Sequence, residues 1–356
     1  MTSHTHDINI RSFEPLIDPE VLKQEMPLTP ASEKTVIMGR RRIEDILAHK
    51  DPRLLMIVGP CSIHDEKAAI EYARRLVELQ KEVAESMLLV MRVYFEKPRT
   101  TIGWKGLIND PHMNGSCDMN EGLRRARRIL LKITEMGMPT ATEVLDPITP
   151  QYLAGLVCWS AIGARTTESQ IHREMASGLS MPVGFKNCTD GSLDKAIHAM
   201  VASQTPQSFI GVDPHGKTCI VSTKGNPWTH IVLRGGQRPN YDSVSIEEAC
   251  QKLRDTGLRE SIVVDCSHGN SRKKFSEQER VLKNIISQRL ENNPALIGVM
   301  LESNLEEGNQ TCTVEMSKLT YGVSVTDACI SWDTTKKLLL CADKRMRNQT
   351  QHDSAA

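Results

Sequence analysis

The chain has 356 residues, and its 44 Lys and Arg residues balance 44 Asp and Glu residues. That length allows one large core or two ordinary domains, and the zero net charge disfavours a nucleic-acid partner. The longest apolar runs are far shorter than the roughly 18 consecutive residues of a membrane span, so we expect no membrane partner either. The polar start (MTSHTHD) and ten cysteines without a C-x-x-C pair predict a cytoplasmic protein with reduced thiols.

The predicted elements begin with an N-terminal arm, residues 1–50, which is interrupted by prolines and has one helical stretch at 34–49. From residue 51 to residue 345, short apolar runs alternate with amphipathic segments, and residues 346–356 predict a flexible tail. The runs predict strands at 54–58, 87–95, 140–144, 160–164, 183–185, 231–233, 262–264 and 297–301. The amphipathic segments predict helices at 67–84, 121–136, 150–157, 170–179, 193–203, 246–256, 278–291 and 327–345.

This alternation predicts the fold class, which is α/β. Strands that are apolar on both faces and are connected by helices belong in a parallel sheet, and eight such units match a closed (β/α)8 TIM barrel. An open doubly wound sheet is the alternative. Residues 208–212 and 218–223 flank an Asp-Pro-His-Gly turn, which predicts an inserted β-hairpin at 208–224.

The hairpin turn contains a nucleotide-binding pattern, because residues 211–218 (GVDPHGKT) match G-x-x-x-x-G-K-[ST]. That pattern binds phosphate when a helix follows the lysine, since the N–H groups of the helix N-terminus hold the anion. Strand-like residues follow Thr218 instead, and Pro214 removes one donor. We therefore favour a hairpin turn with Gly216 at positive φ over a nucleotide hydrolase.

Polar side chains lie at the ends of the predicted strands. In a barrel these ends converge on one mouth, where barrel enzymes carry out their chemistry. Each residue alone has an ordinary interpretation as a buried thiol, a loop histidine or a capping carboxylate, so only the combination predicts a site. The cations, which predict an anion-binding cradle, are Arg92, Lys97, Arg165, Lys186 and Arg234. The remaining residues are Cys61, Glu143, His268, Glu302 and Asp327.

A thiol, an imidazole and carboxylates together favour a divalent transition metal such as Mn, Fe, Zn or Co over Mg or Ca, which prefer oxygen ligands. The sequence does not decide among these metals.

Eight stretches spread between residues 51 and 332 are similar to a known family. They are 59–65 (GPCSIHD), 91–101 (MRVYFEKPRTT), 103–106 (GWKG), 162–169 (IGARTTES), 184–187 (GFKN), 233–236 (LRGG), 265–270 (DCSHGN) and 322–329 (GVSVTDAC). On these motifs the chain resembles the class I 3-deoxy-D-arabino-heptulosonate-7-phosphate (DAHP) synthases of the bacterial, feedback-regulated type. The resemblance implies a transferase that condenses phosphoenolpyruvate with erythrose 4-phosphate and releases phosphate, as the first step of the shikimate pathway.

The same resemblance implies a role for each site residue. A divalent metal would be held by Cys61, His268, Glu302 and Asp327. Phosphoenolpyruvate would be bound by Arg92, Lys97, Glu143, Gly163, Ala164, Arg165, Lys186 and Arg234. Erythrose 4-phosphate would be bound by Lys97, Pro98, Arg99, Thr100 and Asp327. The catalytic residues would be Lys97, His268 and Cys61; either Lys97 or a metal-bound water near His268 would protonate the developing alkoxide, and we favour Lys97.

One position departs from the family pattern, because Cys188 stands where the family usually has glycine. If that turn requires positive φ, cysteine adds strain of about 1 kcal/mol, and the loop beside Lys186 would be shifted. This predicts weakened phosphoenolpyruvate binding. Together with the N-terminal arm and the hairpin, it also motivates an alternative, in which the chain is a catalytically weakened regulatory or assembly subunit.

The arm and the hairpin match the parts that, in similar enzymes, form subunit contacts and a pocket for an aromatic amino-acid inhibitor. The resemblance therefore implies a homodimer or a homotetramer under feedback inhibition. Gly211 together with Pro147 favours tyrosine as the inhibitor. The implied pocket residues are Pro150, Gln151, Leu179, Ser180, Phe209, Gly211 and Val221.

Overall fold

The computed structural model describes residues 5–99, 103–313 and 315–355. The barrel strands are β1 (Leu54–Gly59), β2 (Met87–Arg92), β3 (Thr140–Glu143), β4 (Trp159–Ile162), β5 (Val183–Lys186), β8 (Thr229–Leu233), β9 (Ile262–Asp265) and β10 (Leu296–Glu302). They close into a barrel in the order β1-β10-β9-β8-β5-β4-β3-β2, and every neighbouring pair is parallel. The predicted (β/α)8 barrel is confirmed, and the open sheet is excluded.

Helices connect the strands and cover the outside of the barrel. The helices are α1 (Pro19–Glu25), α2 (Pro30–Leu47), α3 (Glu66–Val83), α4 (Met119–Glu135), α5 (Pro150–Leu153), α6 (Gln170–Gly178), α7 (Asp194–Gln204), α8 (Ser243–Asp255), α9 (Gln278–Leu290) and α10 (Trp332–Ala355). Short 3-10 turns occupy Ala154–Leu156, Phe275–Glu277 and Met316–Lys318. Among the described residues, no helix combines the length and the apolar character that crossing a membrane requires.

The last helix differs from its prediction at both ends. Asp327 does not open it, because the helix begins at Trp332 and the Ser331 hydroxyl caps it by accepting from the Thr334 N–H at 3.2 Å. Asp327 instead lies in the loop after β10. At the other end α10 runs to residue 355, past the predicted barrel boundary at 345, and Arg345 is anchored by a 3.1 Å hydrogen bond to Ser287.

Helix α2 closes the N-terminal end of the barrel. Ile43 and Leu47 are buried in the same apolar cluster as Trp159, whose side chain fills the barrel interior. The Arg40 guanidinium donates to the Ala154 carbonyl at 2.7 Å, which fixes α2 to the 3-10 turn that precedes β4. The second half of the predicted arm is therefore packed into the barrel core.

The inserted hairpin is present where the sequence predicts it. Strands β6 (Ser208–Val212) and β7 (Thr218–Ser222) pair antiparallel, and Gly216 in the turn has φ of 71°. A strand rather than a helix follows Lys217, so the phosphate-loop pattern has no helix N-terminus to hold an anion. Glu20 of α1 donates its N–H to the Pro214 carbonyl at 2.8 Å, which joins the N-terminal arm to the hairpin turn.

Candidate active site

The carboxyl ends of the barrel strands surround a cavity of about 280 Å³. All five cations that the sequence analysis selected line it, together with Gly163, Ala164 and other polar groups. The lining residues are Arg92, Tyr94, Lys97, Pro98, Arg99, Glu143, Gly163, Ala164, Arg165, Thr166, Lys186, Thr189, Arg234, His268, Glu302 and Asp327. Thr100, which the resemblance assigns to erythrose 4-phosphate, lies outside the described residues.

A cluster of possible metal ligands lies at one side of this cavity. One ligand atom from each of Cys61, Glu302 and Asp327 lies within 4.8 Å of the others. Burial and the negative charge of Glu302 raise the pKa of the Cys61 thiol to about 11. Two carboxylates beside a buried sulfur repel one another unless a cation joins them. Thiolate and carboxylate donors together fit a divalent transition metal, so this donor set is consistent with the predicted metal site.

His268, the fourth predicted ligand, lines the same cavity but is not part of that three-atom group. Its Nδ1 lies 2.7 Å from the Ser267 hydroxyl and 3.1 Å from the Asp265 carboxylate. These contacts occupy Nδ1, so Nε2 is the ring nitrogen left for a metal ion. The backbone of His268 has φ of 56°, an uncommon conformation for a residue other than glycine. The role of His268 as a ligand stays a prediction.

The cations on the cavity wall are held together by one aromatic ring. The guanidinium of Arg92 lies 4.1 Å from the centroid of the Tyr94 ring, and the ammonium groups of Lys97 and Lys186 lie 5.8 and 5.9 Å from it. The face of an aromatic ring attracts cations, so Tyr94 offsets part of their mutual repulsion. Arg92 is completely buried and also donates to Glu302 at 3.1 Å.

Lys97 connects the cationic wall to the ligand cluster. Its Nζ lies 3.1 Å from both the sulfur and the carbonyl oxygen of Cys61. Burial alone would lower the pKa of Lys97, but the charges of Cys61 and Glu302 outweigh burial and raise it. Lys97 is therefore protonated at neutral pH and can hold a proton beside the ligand cluster.

A second buried network crosses the opposite side of the cavity. The ammonium of Lys186 lies 3.5 Å from Glu143 and 3.3 Å from Asp265, and both carboxylates are buried. Burial opposes ionisation of Asp265, but His268 and Lys186 hold its pKa well below the usual range. Burial also opposes ionisation of Glu143, but the charges of Lys186 and Lys97 outweigh it and lower the pKa of Glu143. Both acids therefore stay ionised beside Lys186.

Sequence reasoning missed Tyr94 and Asp265. Both lie inside the motifs that carry the family resemblance, and Asp265 is the first charged residue after the apolar run of β9. The strand-end rule that selected His268 applies equally well to Asp265. Tyr94 follows Arg92 by two residues and had no such signal, because an aromatic residue near a strand end is usually part of the core.

Two buried asparagines fix the loops that carry Arg234 and His268. Asn187 accepts from the Arg234 N–H at 2.8 Å, and Asn270 donates to the Asp265 carbonyl at 2.9 Å. Gly235 lies between these loops with φ of 71°, and a Cβ there would approach the Asn270 nitrogen to 2.6 Å. Only glycine fits that position, so the close approach of the two loops explains the Arg-Gly-Gly stretch.

The prediction that the backbone is strained at Cys188 is wrong. In the turn after Lys186, Gly191 has φ of 102°, whereas Cys188 is not among the residues at positive φ. Burial and Glu168, which lies 3.5 Å from the sulfur, raise the pKa of the Cys188 thiol to about 11. The thiol is thus neutral and the backbone is not at positive φ, so Cys188 no longer supports the hypothesis of a weakened subunit.

The residues implied for the inhibitor pocket come from three neighbouring elements. Pro150 and Gln151 begin α5, Leu179 and Ser180 follow α6, and the others belong to the hairpin. The hairpin residues Phe209, Gly211 and Val221 lie on its half-buried face. A 2.6 Å hydrogen bond between Ser177 and Thr223 joins the end of α6 to the base of the hairpin.

The closed barrel and its charged mouth define an α/β-barrel enzyme whose site suits anionic substrates. Residues 26–340 match the DAHP synthetase I family. The chain is 54% identical to the tyrosine-sensitive phospho-2-dehydro-3-deoxyheptonate aldolase of Escherichia coli (strain K12). The aligned region of 334 residues covers 94% of each chain. It is 53% identical over 344 residues to the tyrosine-sensitive aldolase of Salmonella typhimurium, which covers 97% of each chain.

The phenylalanine-sensitive aldolase of Escherichia coli is 50% identical over 339 residues, which is 95% of this chain and 97% of that one. The solved structure of the aldolase from Francisella tularensis SCHU S4 superimposes with a TM-score of 0.92 at 47% identity, and it covers 94% of this chain and 98% of that one. The chain belongs to the DAHP synthetase I family. It catalyses the first step of the shikimate pathway, the condensation of phosphoenolpyruvate with erythrose 4-phosphate, under aromatic feedback regulation.

Proposed function

We propose that the cavity at the barrel mouth is where this condensation takes place. The observation that carries the proposal is the convergence of five cations on one cavity next to the cluster of Cys61, Glu302 and Asp327. Two phosphorylated substrates bring several negative charges into one site, and those charges must be neutralised before the substrates can approach each other.

Phosphoenolpyruvate binds in the cationic part of the cavity. Lys97, Lys186 and Arg92 hold it from the Tyr94 side, and Arg165 and Arg234 hold it from the other strand ends. The backbone of Gly163 and Ala164 lines the same cavity and contributes to the phosphoenolpyruvate site. A Cβ at Gly163 would lie 2.5 Å from a Glu143 oxygen, so glycine is needed for that carboxylate to reach its place beside Lys186.

Erythrose 4-phosphate binds next to Lys97, Pro98, Arg99 and Asp327, with Thr100 as a further predicted contact. Cys61, Glu302 and Asp327, together with His268, would hold one divalent transition metal ion: Mn, Fe, Zn or Co. A bound ion of this kind would supply Lewis-acid chemistry for the aldehyde of erythrose 4-phosphate.

The protein's own groups move the protons. The C3 carbon of phosphoenolpyruvate attacks the aldehyde carbon, a C–C bond forms, and Lys97 Nζ donates a proton to the developing alkoxide. Water then adds to the cationic C2 carbon and loses one proton, which returns Lys97 to its ammonium form. The hemiketal that results expels phosphate: the C2–O bond to phosphate breaks, the hydroxyl group becomes the ketone, and its proton leaves with the phosphate. Glu143, which Lys186 and Lys97 keep ionised against the effect of burial on its pKa, orients this water beside Lys186.

The hairpin, α5 and the end of α6 form the feedback site, and we propose tyrosine as the inhibitor because two tyrosine-sensitive relatives share 53% and 54% identity with the chain. The assembly is a homodimer or homotetramer. Ile210 and Ile220 support this, since they pair across the hairpin with 82% and 79% of their surface exposed. All ten cysteines are unpaired, which is consistent with a cytoplasmic enzyme.

The direct test follows phosphate release with both substrates, before and after thorough chelation and after re-addition of Mn, Fe, Zn or Co. We expect release only when both substrates are present, its loss on chelation and its return with at least one metal. Full activity after chelation would refute the metal role. Phosphate release from phosphoenolpyruvate alone at the same rate would refute the condensation.

The same assay tests the inhibitor. We expect L-tyrosine to inhibit at lower concentrations than L-phenylalanine or L-tryptophan. Stronger inhibition by L-phenylalanine or L-tryptophan would refute tyrosine as the inhibitor. Sedimentation equilibrium at assay concentrations measures the assembly, and a monomeric species would contradict the proposed homo-oligomer.

A further inference from the structure

Glu96 is a buried carboxyl group that the proposed mechanism does not use. It lies between Phe95 and Lys97 in the loop after β2, and only 5% of its surface is exposed. The Thr149 hydroxyl donates to its Oε2 at 3.0 Å. The Glu96 side chain therefore crosses from the loop that carries Lys97 to the turn that precedes α5.

Both segments that Glu96 joins are themselves well fixed. On one side, Lys97 donates its N–H to the Lys105 carbonyl at 2.9 Å, and Glu96 forms an antiparallel bridge with Gly106. On the other side, the Asp146 carboxylate accepts the Ile148 N–H at 2.7 Å and closes the turn. Glu96 therefore links the loop that carries Lys97 to the turn that precedes α5.

The surroundings of Glu96 disfavour a negative charge. Burial and the Asp146 carboxylate raise the pKa of Glu96 to about 8, although hydrogen bonds from the Thr149 hydroxyl and from the backbone of Asp146 and Leu145 oppose this. Glu96 and Glu143 line one mainly apolar cavity. Nearby, His172 of α6 contacts the Leu145 carbonyl at 2.7 Å. The ammonium of Lys97, the next residue along the chain, is directed to Cys61 instead.

We propose that Glu96 is a positioning residue for Lys97: its buried carboxyl group, bound to Thr149, holds the Lys97 loop so that Nζ stays against Cys61. This inference rests on the proposed role of Lys97 in the reaction. Glu96 does not line the proposed substrate cavity. A neutral carboxyl group suffices for the link, whereas an ionised one would be repelled by Asp146 and would displace the loop.

The test compares Glu96→Gln, Glu96→Ala and Thr149→Val with the wild-type enzyme, measuring kcat and the KM values of both substrates from pH 6 to pH 9.5. An amide reproduces the shape and the neutral state of the protonated acid. We expect the wild-type kcat to fall as pH rises through about 8, the pKa of Glu96, and this fall to be absent in Glu96→Gln. Glu96→Ala and Thr149→Val should lower kcat by about tenfold at pH 7 with smaller changes in KM.

Thr256→Val is the matched control for Thr149→Val, because Thr256 is an exposed residue at the end of α8 whose hydroxyl bonds only nearby helix carbonyls. It should keep the wild-type kcat. Thermal unfolding of Glu96→Gln adds a readout that needs no activity. An acid with a raised pKa in the folded state loses stability as pH rises from its unfolded value toward about 8, so the stability advantage of the amide should grow over that range.

The same alkaline fall of kcat in Glu96→Gln and in the wild type would overturn the inference. Wild-type kcat in folded Thr149→Val and Glu96→Ala, with folding checked by circular dichroism, would overturn it as well. Failure of the positioning role of Glu96 can be distinguished from failure of the proposed function. Full activity of Lys97→Met would refute the role of Lys97 itself, whereas an inactive Lys97→Met with normal Glu96 variants would refute only the positioning role.

Discussion

The two ends of the barrel interior accommodate buried polar groups in opposite ways. At the mouth, Arg92, Lys186 and Asp265 are buried as charges that compensate one another. At the closed end, Trp159 donates to His230 at 3.0 Å, and burial lowers the pKa of His230 to about 4, so that both partners are neutral. Side chains of α2 seal that end with apolar surface.

This difference separates function from stability within one core. Buried charges are costly unless they are paired, and they are retained where a charged ligand completes the network. A neutral hydrogen-bonded pair satisfies the polar groups without that cost. We therefore expect substitutions at the mouth to change kinetics first, and substitutions at the closed end to change stability first.

Lys97→Met should have the largest effect, a fall in kcat of about 1,000-fold, because it removes the proposed proton donor from beside Cys61. Steady-state kinetics at saturating concentrations of both substrates measures it. Lys252→Met is the matched control, since Lys252 is an exposed lysine that pairs with Asp194 at 2.5 Å, and its kcat should match the wild type. A Lys97→Met enzyme with more than about a tenth of wild-type kcat would contradict the assignment.

His230 should make the closed end sensitive to acid. Its folded pKa is depressed to about 4 from 6.5, so the unfolded chain takes up the proton first and stability falls as pH drops through that window. Between pH 7 and pH 5 this costs about 2 kcal/mol. Glutamine can accept the Trp159 bond without titrating, so His230→Gln should lose less stability over that range in denaturant unfolding. An equal loss in both proteins would disprove the neutral histidine.

Tyr94→Leu should raise the KM for phosphoenolpyruvate about tenfold, because Arg92, Lys97 and Lys186 lose the ring that holds them together. Tyr94→Phe keeps the ring and removes only the hydroxyl group, so its KM should stay within about twofold of the wild type. Equal KM values in the leucine and phenylalanine variants, measured on protein that is folded by circular dichroism, would show that the cation–ring contacts do not organise the cradle.

Cys188→Gly should have the smallest effect. Because Cys188 is not at positive φ, glycine relieves no strain there, and the KM for phosphoenolpyruvate should change by less than about twofold. Kinetics of the two proteins side by side measure this. An improvement in KM of tenfold or more would restore the strain hypothesis.

Much of the fold was predictable from the sequence because the barrel strands are buried on both faces and the helices between them present an apolar face to the barrel. The strand-end rule then located the cations of the mouth, since parallel strands in a barrel bring their carboxyl ends together whatever the distance along the chain. Helix boundaries were less certain. The sequence predicts a helix that begins at Asp327, whereas α10 begins at Trp332 and Ser331 supplies its cap.

The remaining features depend on contacts between segments that are distant in sequence. The pattern of α2 shows an apolar face but not that this face closes the barrel against Trp159. Tyr94 and Asp265 are ordinary residues until the structure places them among buried cations. The sequence does not show which residue of the turn after Lys186 adopts positive φ, and in the structure it is Gly191 rather than Cys188.

We propose that the barrel mouth is built around one divalent cation held by Cys61, Glu302 and Asp327, whose ligand atoms lie within 4.8 Å of one another. Titration of Mn²⁺ into chelator-treated protein by calorimetry, with wild type, Cys61→Ala and Glu302→Gln compared, tests it without reference to turnover. We predict one bound Mn²⁺ per wild-type chain and an affinity at least about 100-fold weaker in both folded variants. Equal affinity in all three proteins would contradict the account.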